Sequence, residues 1–178
     1  MILLITGASH TGKTRLAQRL LETYKYPYLS IDHLKMGLIR SGQTALTPED
    51  DDALTAYLWP IVAEMVKTAV ENRQNLIVEG CYIPPDWRSS FTGEYLASIR
   101  LVCLTMTGEY IRTHITDIAR YAGVIEDRVD DGWWTAERLI AENERYRREF
   151  AAEHCHVIDD AYRVDPKAIY KELEGPPV

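Results

Sequence analysis

Little in this 178-residue chain suits it for a membrane, a disulfide scaffold or a nucleic acid. No run of about 18 apolar residues occurs, so no transmembrane helix is expected. The opening Met1-Ile2-Leu3-Leu4-Ile5 is apolar but short and lacks a basic leader; it does not read as a secretory signal, and a cytoplasmic location is expected. Cys81, Cys103 and Cys155 show no CxxC spacing, and each lies in or at the end of an apolar run. Reduced, buried thiols are expected rather than a disulfide or a zinc site. Cations are outnumbered, 20 Lys and Arg against 27 Asp and Glu, which leaves a net charge of −7. Nonspecific nucleic-acid binding needs clustered Lys and Arg and is not expected here. A small anionic substrate stays open, since a few arginines can converge in one cleft.

Repeats, low-complexity tracts and Ser/Gly linkers are also missing, so residues 1–178 read as one domain. Within it, apolar runs of strand length alternate with longer amphipathic stretches. That alternation is the pattern of an α/β fold with a parallel sheet wrapped by helices. Strands are expected at 2–6, 27–31, 76–79, 99–105 and 156–158. The first, third and fourth are nearly continuous in Ile, Leu and Val, as suits strands buried on both faces. Helices are expected at 13–23, 33–40, 48–73, 108–122, 135–153 and 166–173. Thr47 reads as the N-cap of the third and Pro48 as its first residue, with a bend near Pro60. Between the fourth and fifth helices, 123–134 has no clear period and reads as a mobile segment.

The strongest motif is Gly7-Ala8-Ser9-His10-Thr11-Gly12-Lys13-Thr14, which matches G-x-x-x-x-G-K-[ST]. A hydrophobic strand precedes it and a helix follows, which is the context a phosphate-binding P-loop requires. The glycines permit a tight turn whose backbone N–H groups, those of His10 and Thr11 included, face phosphate oxygens. The helix N-terminus at Lys13 adds its dipole. Lys13 can reach the β- and γ-phosphates, and the Thr14 hydroxyl can hold magnesium. No NKxD guanine motif occurs, so ATP with Mg2+ is expected rather than GTP.

Asp32 follows the second strand, where ligands sit in open α/β sheets. There it can take a proton from an acceptor hydroxyl, hold magnesium through water, or cap the next helix. A Walker loop near the start of the sequence followed by strand, aspartate and basic helix resembles the adenylate kinase-like group of P-loop small-molecule kinases. Within that group, Asp32-His33-Leu34-Lys35 with Arg40 downstream is similar to the Asp-x-Ile-Arg stretch of 2-phosphoglycerate kinases. Chloramphenicol phosphotransferases and zeta-toxin kinases also place an aspartate after this strand. The resemblance implies a three-layer P-loop kinase fold with a five-stranded parallel sheet of order 2-3-1-4-5. It also implies that Asp32 is the base for the acceptor hydroxyl. Lys35 and Arg40, three and eight residues further on, can point into the same cleft and hold an acceptor anion, or merely solvate the helix and offset the acidic run at 49–52.

Glu79-Gly80-Cys81-Tyr82 is similar to the Asp-Gly-[Phe/Tyr]-Pro stretch of nucleoside monophosphate kinases, with Glu replacing Asp. Glu79 can serve magnesium or face the substrate, and Arg88 can grip a substrate anion or sit in a surface turn. The resemblance further implies a lid at about 112–134, through which Arg112 and Arg120 reach the transferred phosphoryl group, with Arg128 a further candidate. Tyr162 falls where the group packs the nucleotide base. The expected activity is ATP-dependent phosphoryl transfer to a small hydroxylated, anionic acceptor. The alternatives are a nucleoside monophosphate kinase, or a nucleotide-dependent regulatory protein with no acceptor.

Overall fold

The computed structural model of the chain describes residues 1–121 and 135–173. At its centre is β1 (Ile2–Gly7), buried along its whole length. Successive side chains of a strand point to opposite faces, and here both faces are covered. Ile2 and Leu4 enter one core while Leu3 and Ile5 enter another. A continuous apolar run is what such a strand demands. On either side of β1 lie β3 (Leu76–Glu79) and β4 (Ile99–Met106), with β2 (Tyr28–Ser30) and β5 (His154–Ile158) at the edges. All four pairings are parallel, and the order is 2-3-1-4-5.

Helices form the outer layers. α1 (Lys13–Tyr24), α5 (Gly108–Tyr121) and α7 (Pro166–Leu173) contribute Leu16, Leu20, Ile111, Ile118 and Ile169 to the Leu3/Ile5 core. On the other face, α2 (Ile31–Arg40) supplies Ile31, and α3 (Asp51–Glu71) supplies Leu54, Leu58 and Val62. The four-residue α4 (Gly93–Leu96) precedes β4. α6 (Ala136–Glu149) bridges the layers, with Leu139 in one core and Tyr146 in the other. Its N-cap is Thr135, whose hydroxyl accepts from the Arg138 N–H at 3.4 Å.

Of the boundaries that differ from the sequence expectation, two lie beside the site. β2 stops at Ser30 and α2 begins at Ile31, so Asp32 lies in the first helical turn rather than on the strand or at an N-cap. α3 begins at Asp51, not Pro48, and continues through Pro60. Asp50 accounts for the later start: its Oδ2 accepts from both the Thr47 N–H, at 2.8 Å, and the Thr47 hydroxyl, at 2.9 Å. Thr47 is thereby tied into a local turn ahead of the helix. These bonds from Thr47 hold the Asp50 carboxyl below its ordinary value. A lowered folded-state pKa means stabilisation that is present above the ordinary carboxylate value and lost as pH falls through the lowered one. Asp50→Ala is expected to remove that part of the acid-range dependence of stability, measured by thermal melts across pH.

Cys103 is buried, but Cys81 and Cys155 are only half-buried, which corrects the expectation of three buried thiols. Cys103 and Cys155 stand in register across β4 and β5, and the Cys155 thiol donates to the Phe150 carbonyl at 3.2 Å.

Gly7 ends β1 in close contact with β4. A Cβ there would overlap the Leu104 carbonyl oxygen, and φ is +136°. Gly7→Ala is expected to destabilise the fold by more than about 3 kcal/mol through overlap and backbone strain. Urea unfolding of the folded fraction measures this.

Candidate active site

The loop between β1 and α1 is held open by its own side chains and by one tyrosine. Gly12 is left-handed at φ +86°, and a Cβ there would collide with the Tyr162 hydroxyl. Tyr162 donates to the Thr11 carbonyl at 3.4 Å, and the Thr11 hydroxyl donates to the Ala8 carbonyl at 2.8 Å. His10 is left-handed as well, at φ +62°. Lys13 is almost fully buried, and its Nζ donates to the Gly7 and Ala8 carbonyls at 3.0 and 2.9 Å. Its ammonium is thus held over the first half of the loop. The N–H and hydroxyl of Ser9 both donate to Glu142 Oε1 of α6, each at 3.0 Å.

Glu79 closes β3 and is 1% exposed. Its Oε2 accepts from the Thr14 hydroxyl at 3.3 Å. A carboxylate beside the first-turn hydroxyl of α1, at the edge of a phosphate loop, is a donor set of the hard oxygen type that suits magnesium. Glu79 is not among the residues lining the cleft, and it meets the Thr14 hydroxyl, on the magnesium side of the two expectations.

A cleft of about 1490 Å³ opens beside the loop between α2, α3 and α6. Ser9, Lys13, Asp32, Lys35 and Arg40 all line it. Asp32 Oδ1 pairs with Lys35 Nζ at 2.8 Å, and among the described residues no partner engages Oδ2. Lys35 also donates to the Tyr82 hydroxyl at 2.9 Å. Lys35 thus lines the cleft where an acceptor anion was expected, with its charge already paired to Asp32. Arg40 is exposed, lines the cleft and has no ion-pair partner among the described residues.

Three expected site arginines are not among the residues lining this cleft. Arg88 donates to both Glu153 oxygens, at 2.8 and 3.0 Å, and stacks on Trp87, so it ties the 3-10 turn Trp87–Ser90 to the segment before β5. Such a bidentate pair leaves no fork for a substrate anion. Arg112 and Arg120 are exposed and stand outside the cleft, and a non-helical residue, His114, interrupts α5 between them. An eight-residue spacing aligns side chains only along an unbroken helix. The lid expected to reach residue 134, with Arg128, lies outside the described residues beyond Tyr121. Tyr162, expected at the nucleotide base, has its ring against Gly12 and beneath the Arg15 guanidinium, 5.3 Å from the ring centroid.

Sequence reasoning missed Glu142, Arg145 and Tyr82. Glu142 and Arg145 reach the cleft from a helix whose charges look like a solvated face, and no local pattern sets them apart. Tyr82 stands at the proline place of the Asp-Gly-[Phe/Tyr]-Pro stretch, with Cys81 at the aromatic place, so that resemblance did not single it out.

No protein-family model matches the chain, and no curated protein matches it in sequence. Solved structures do match over nearly the whole length. A shikimate kinase from Bacteroides thetaiotaomicron is 14% identical with a TM-score of 0.58, covering 98% of this chain and 99% of that one. A sugar kinase from Janibacter sp. HTCC2649 is 15% identical with a TM-score of 0.53, covering 96% of this chain and 90% of that one. A shikimate kinase from Aquifex aeolicus is 14% identical with a TM-score of 0.51, covering 97% and 92%. At this identity the likeness carries the fold: a three-layer α/β P-loop kinase fold, as the sequence resemblance implied.

Proposed function

We propose that the protein transfers the γ-phosphoryl group of ATP to a hydroxyl of a small acceptor bearing one localised negative group. One observation carries the reading: Asp32, with Oδ2 unengaged, lines the same cleft as the P-loop Lys13. The phosphates sit on the loop N–H groups and the α1 N-terminus, with Lys13 neutralising the β- and γ-oxygens. The acceptor hydroxyl gives its proton to Asp32 Oδ2 as its oxygen forms the new bond to γ-phosphorus. The bond from γ-phosphorus to the β,γ-bridging oxygen breaks, and ADP leaves. Thr14, with Glu79 behind it, is the place for magnesium, which when bound neutralises phosphate charge.

The charge of the lining supports a modest anion. Seven carboxylates line the cleft against four Lys and Arg side chains, and of those four Lys35 is already paired. A dianionic nucleoside monophosphate fits such a wall poorly. A single carboxylate or similar group can be met by Arg40 from α2 and Arg145 from α6, both of which line the cleft.

A coupled ADP-release assay across hydroxy acids, phosphorylated acids, neutral sugars, amino-alcohols and nucleoside monophosphates tests this. Turnover is expected with a singly charged hydroxylated acid, and Arg40→Ala is expected to raise the acceptor KM by about 10-fold while sparing kcat. Phosphorylation of neutral alcohols alone, with Arg40→Ala indistinguishable from the parent, would sink the anionic-acceptor reading.

A further inference from the structure

Asp32 is one end of a chain of four polar side chains drawn from three segments. Its Oδ1 pairs with Lys35 Nζ at 2.8 Å, Lys35 donates to the Tyr82 hydroxyl at 2.9 Å, and that hydroxyl donates to Asp51 Oδ1 at 3.2 Å. Asp32 and Lys35 sit on α2, Asp51 opens α3, and Tyr82 lies just past the end of β3. The directions of the bonds are fixed by chemistry. An ammonium has only donors, so the tyrosine oxygen must accept from Lys35 and spend its proton on Asp51. Burial pushes the Tyr82 phenol far above its ordinary value, with the neighbouring acids adding to the rise, so it remains a neutral donor.

Lys35 is also well confined. Its side chain is 11% exposed against 29% for Asp32, and its ammonium lies 5.0 Å from the Tyr82 ring centroid. A lysine normally carries several freely turning bonds and a hydrated head. Here the head has two oxygen partners and an aromatic face. The backbone reinforces the same corner, because a Cβ on Gly80 would lie 2.9 Å from Ile31 Cβ. The exit of β3 is thus packed against the residue preceding Asp32, with no room for a side chain between them.

We propose that Tyr82 is a positioning residue for phosphoryl transfer: through Lys35, with Asp51 as its anchor, it holds Asp32 so that Oδ2 faces the acceptor hydroxyl. This rests on Asp32 being the base, as proposed above. A base whose carboxylate rotates freely spends part of its time misaligned, and small misplacements of a catalytic group cost rate rather than binding. The clamp therefore acts on kcat. It also joins α2 to α3, so both acceptor-side walls of the cleft share one polar anchor.

The test uses the full chain and four variants: Asp32→Asn, Lys35→Met, Lys35→Arg and Tyr82→Phe, each checked for folding by circular dichroism. Two readings are taken. One is kcat and the ATP KM with an acceptor found by the panel above. The other needs no acceptor: the rate at which an amine-acylating reagent modifies Lys35, followed by mass spectrometry. Tyr82→Phe, which removes one oxygen, is expected to lower kcat about 10-fold with the ATP KM unchanged, and to speed Lys35 acylation several-fold. Lys35→Met is expected to lower kcat further, and Lys35→Arg to recover part of the loss. If Asp32→Asn keeps full turnover, the base assignment fails. If Asp32→Asn is inactive while Tyr82→Phe and Lys35→Met retain the parent kcat, the clamp alone is overturned. Parent-like Lys35 acylation in folded Tyr82→Phe overturns it without reference to turnover.

Discussion

Lys13→Ala is expected to lower ATP affinity at least about 100-fold in calorimetry with magnesium present. The estimate follows from one charge-assisted contact to the phosphates worth about 3 kcal/mol, at 1.4 kcal/mol per tenfold. The loss in turnover should be greater, because negative charge on the transferring group is met by the same ammonium. In the structure Lys13 Nζ bridges the Gly7 and Ala8 carbonyls, so the variant also deprives the loop of an internal tie. Lys13→Met separates the two effects. It keeps the length and most of the packing of the side chain while removing the charge, and the affinity loss should persist. Near-parent affinity in a folded Lys13→Met protein would mean that the nucleotide binds elsewhere.

The second large effect is on chemistry alone. Asp32→Asn preserves shape and keeps an oxygen for Lys35, but replaces the proton acceptor with an amide. A loss in kcat of about 10²–10⁴-fold is expected, the range typical of a positioned general base. Affinity for a nonhydrolysable ATP analogue should not change, since Asp32 has no contact with the loop among the described residues. Single-turnover kinetics would locate the defect in the chemical step. Equal losses in kcat and in ATP binding would instead make Asp32 part of the nucleotide site.

What could be read from the sequence was local or periodic. The P-loop was legible because its glycines, lysine and threonine lie within eight residues and answer to backbone geometry alone. β1, β3 and β4 were legible because strands buried on both faces must be apolar throughout. β2 was misjudged by a residue or two: Ile31 is as apolar as any strand residue, yet it begins a helix, with its side chain filling the core beside Gly80. Thr47-Pro48 looked like a helix start because both residues suit one. Asp50, three residues on, captured the threonine first. The arginines show the harder limit. Arg88 and Arg40 look alike in sequence, but only the fold brings Glu153 to Arg88 across 65 residues. Likewise nothing near Ser9 announces Glu142, 133 residues away. Pairings of that span depend on how the layers stack, and no local pattern encodes them.

The bond between Glu142 and Ser9 has a thermodynamic side. A phosphate oxygen and a carboxylate oxygen compete for the same Ser9 N–H, and being like charges they cannot share it cheaply. Any phosphate that takes that donor must evict the glutamate, and part of its binding energy is spent doing so. Linkage makes the exchange reciprocal: whatever draws Glu142 off the loop tightens phosphate binding, and phosphate binding loosens the hold of the loop on α6. Since α6 also carries Arg145 into the cleft, the placement of Glu142 and the affinity of the loop would be coupled through one helix. The strength of nucleotide binding would then report on what lies at the opposite wall.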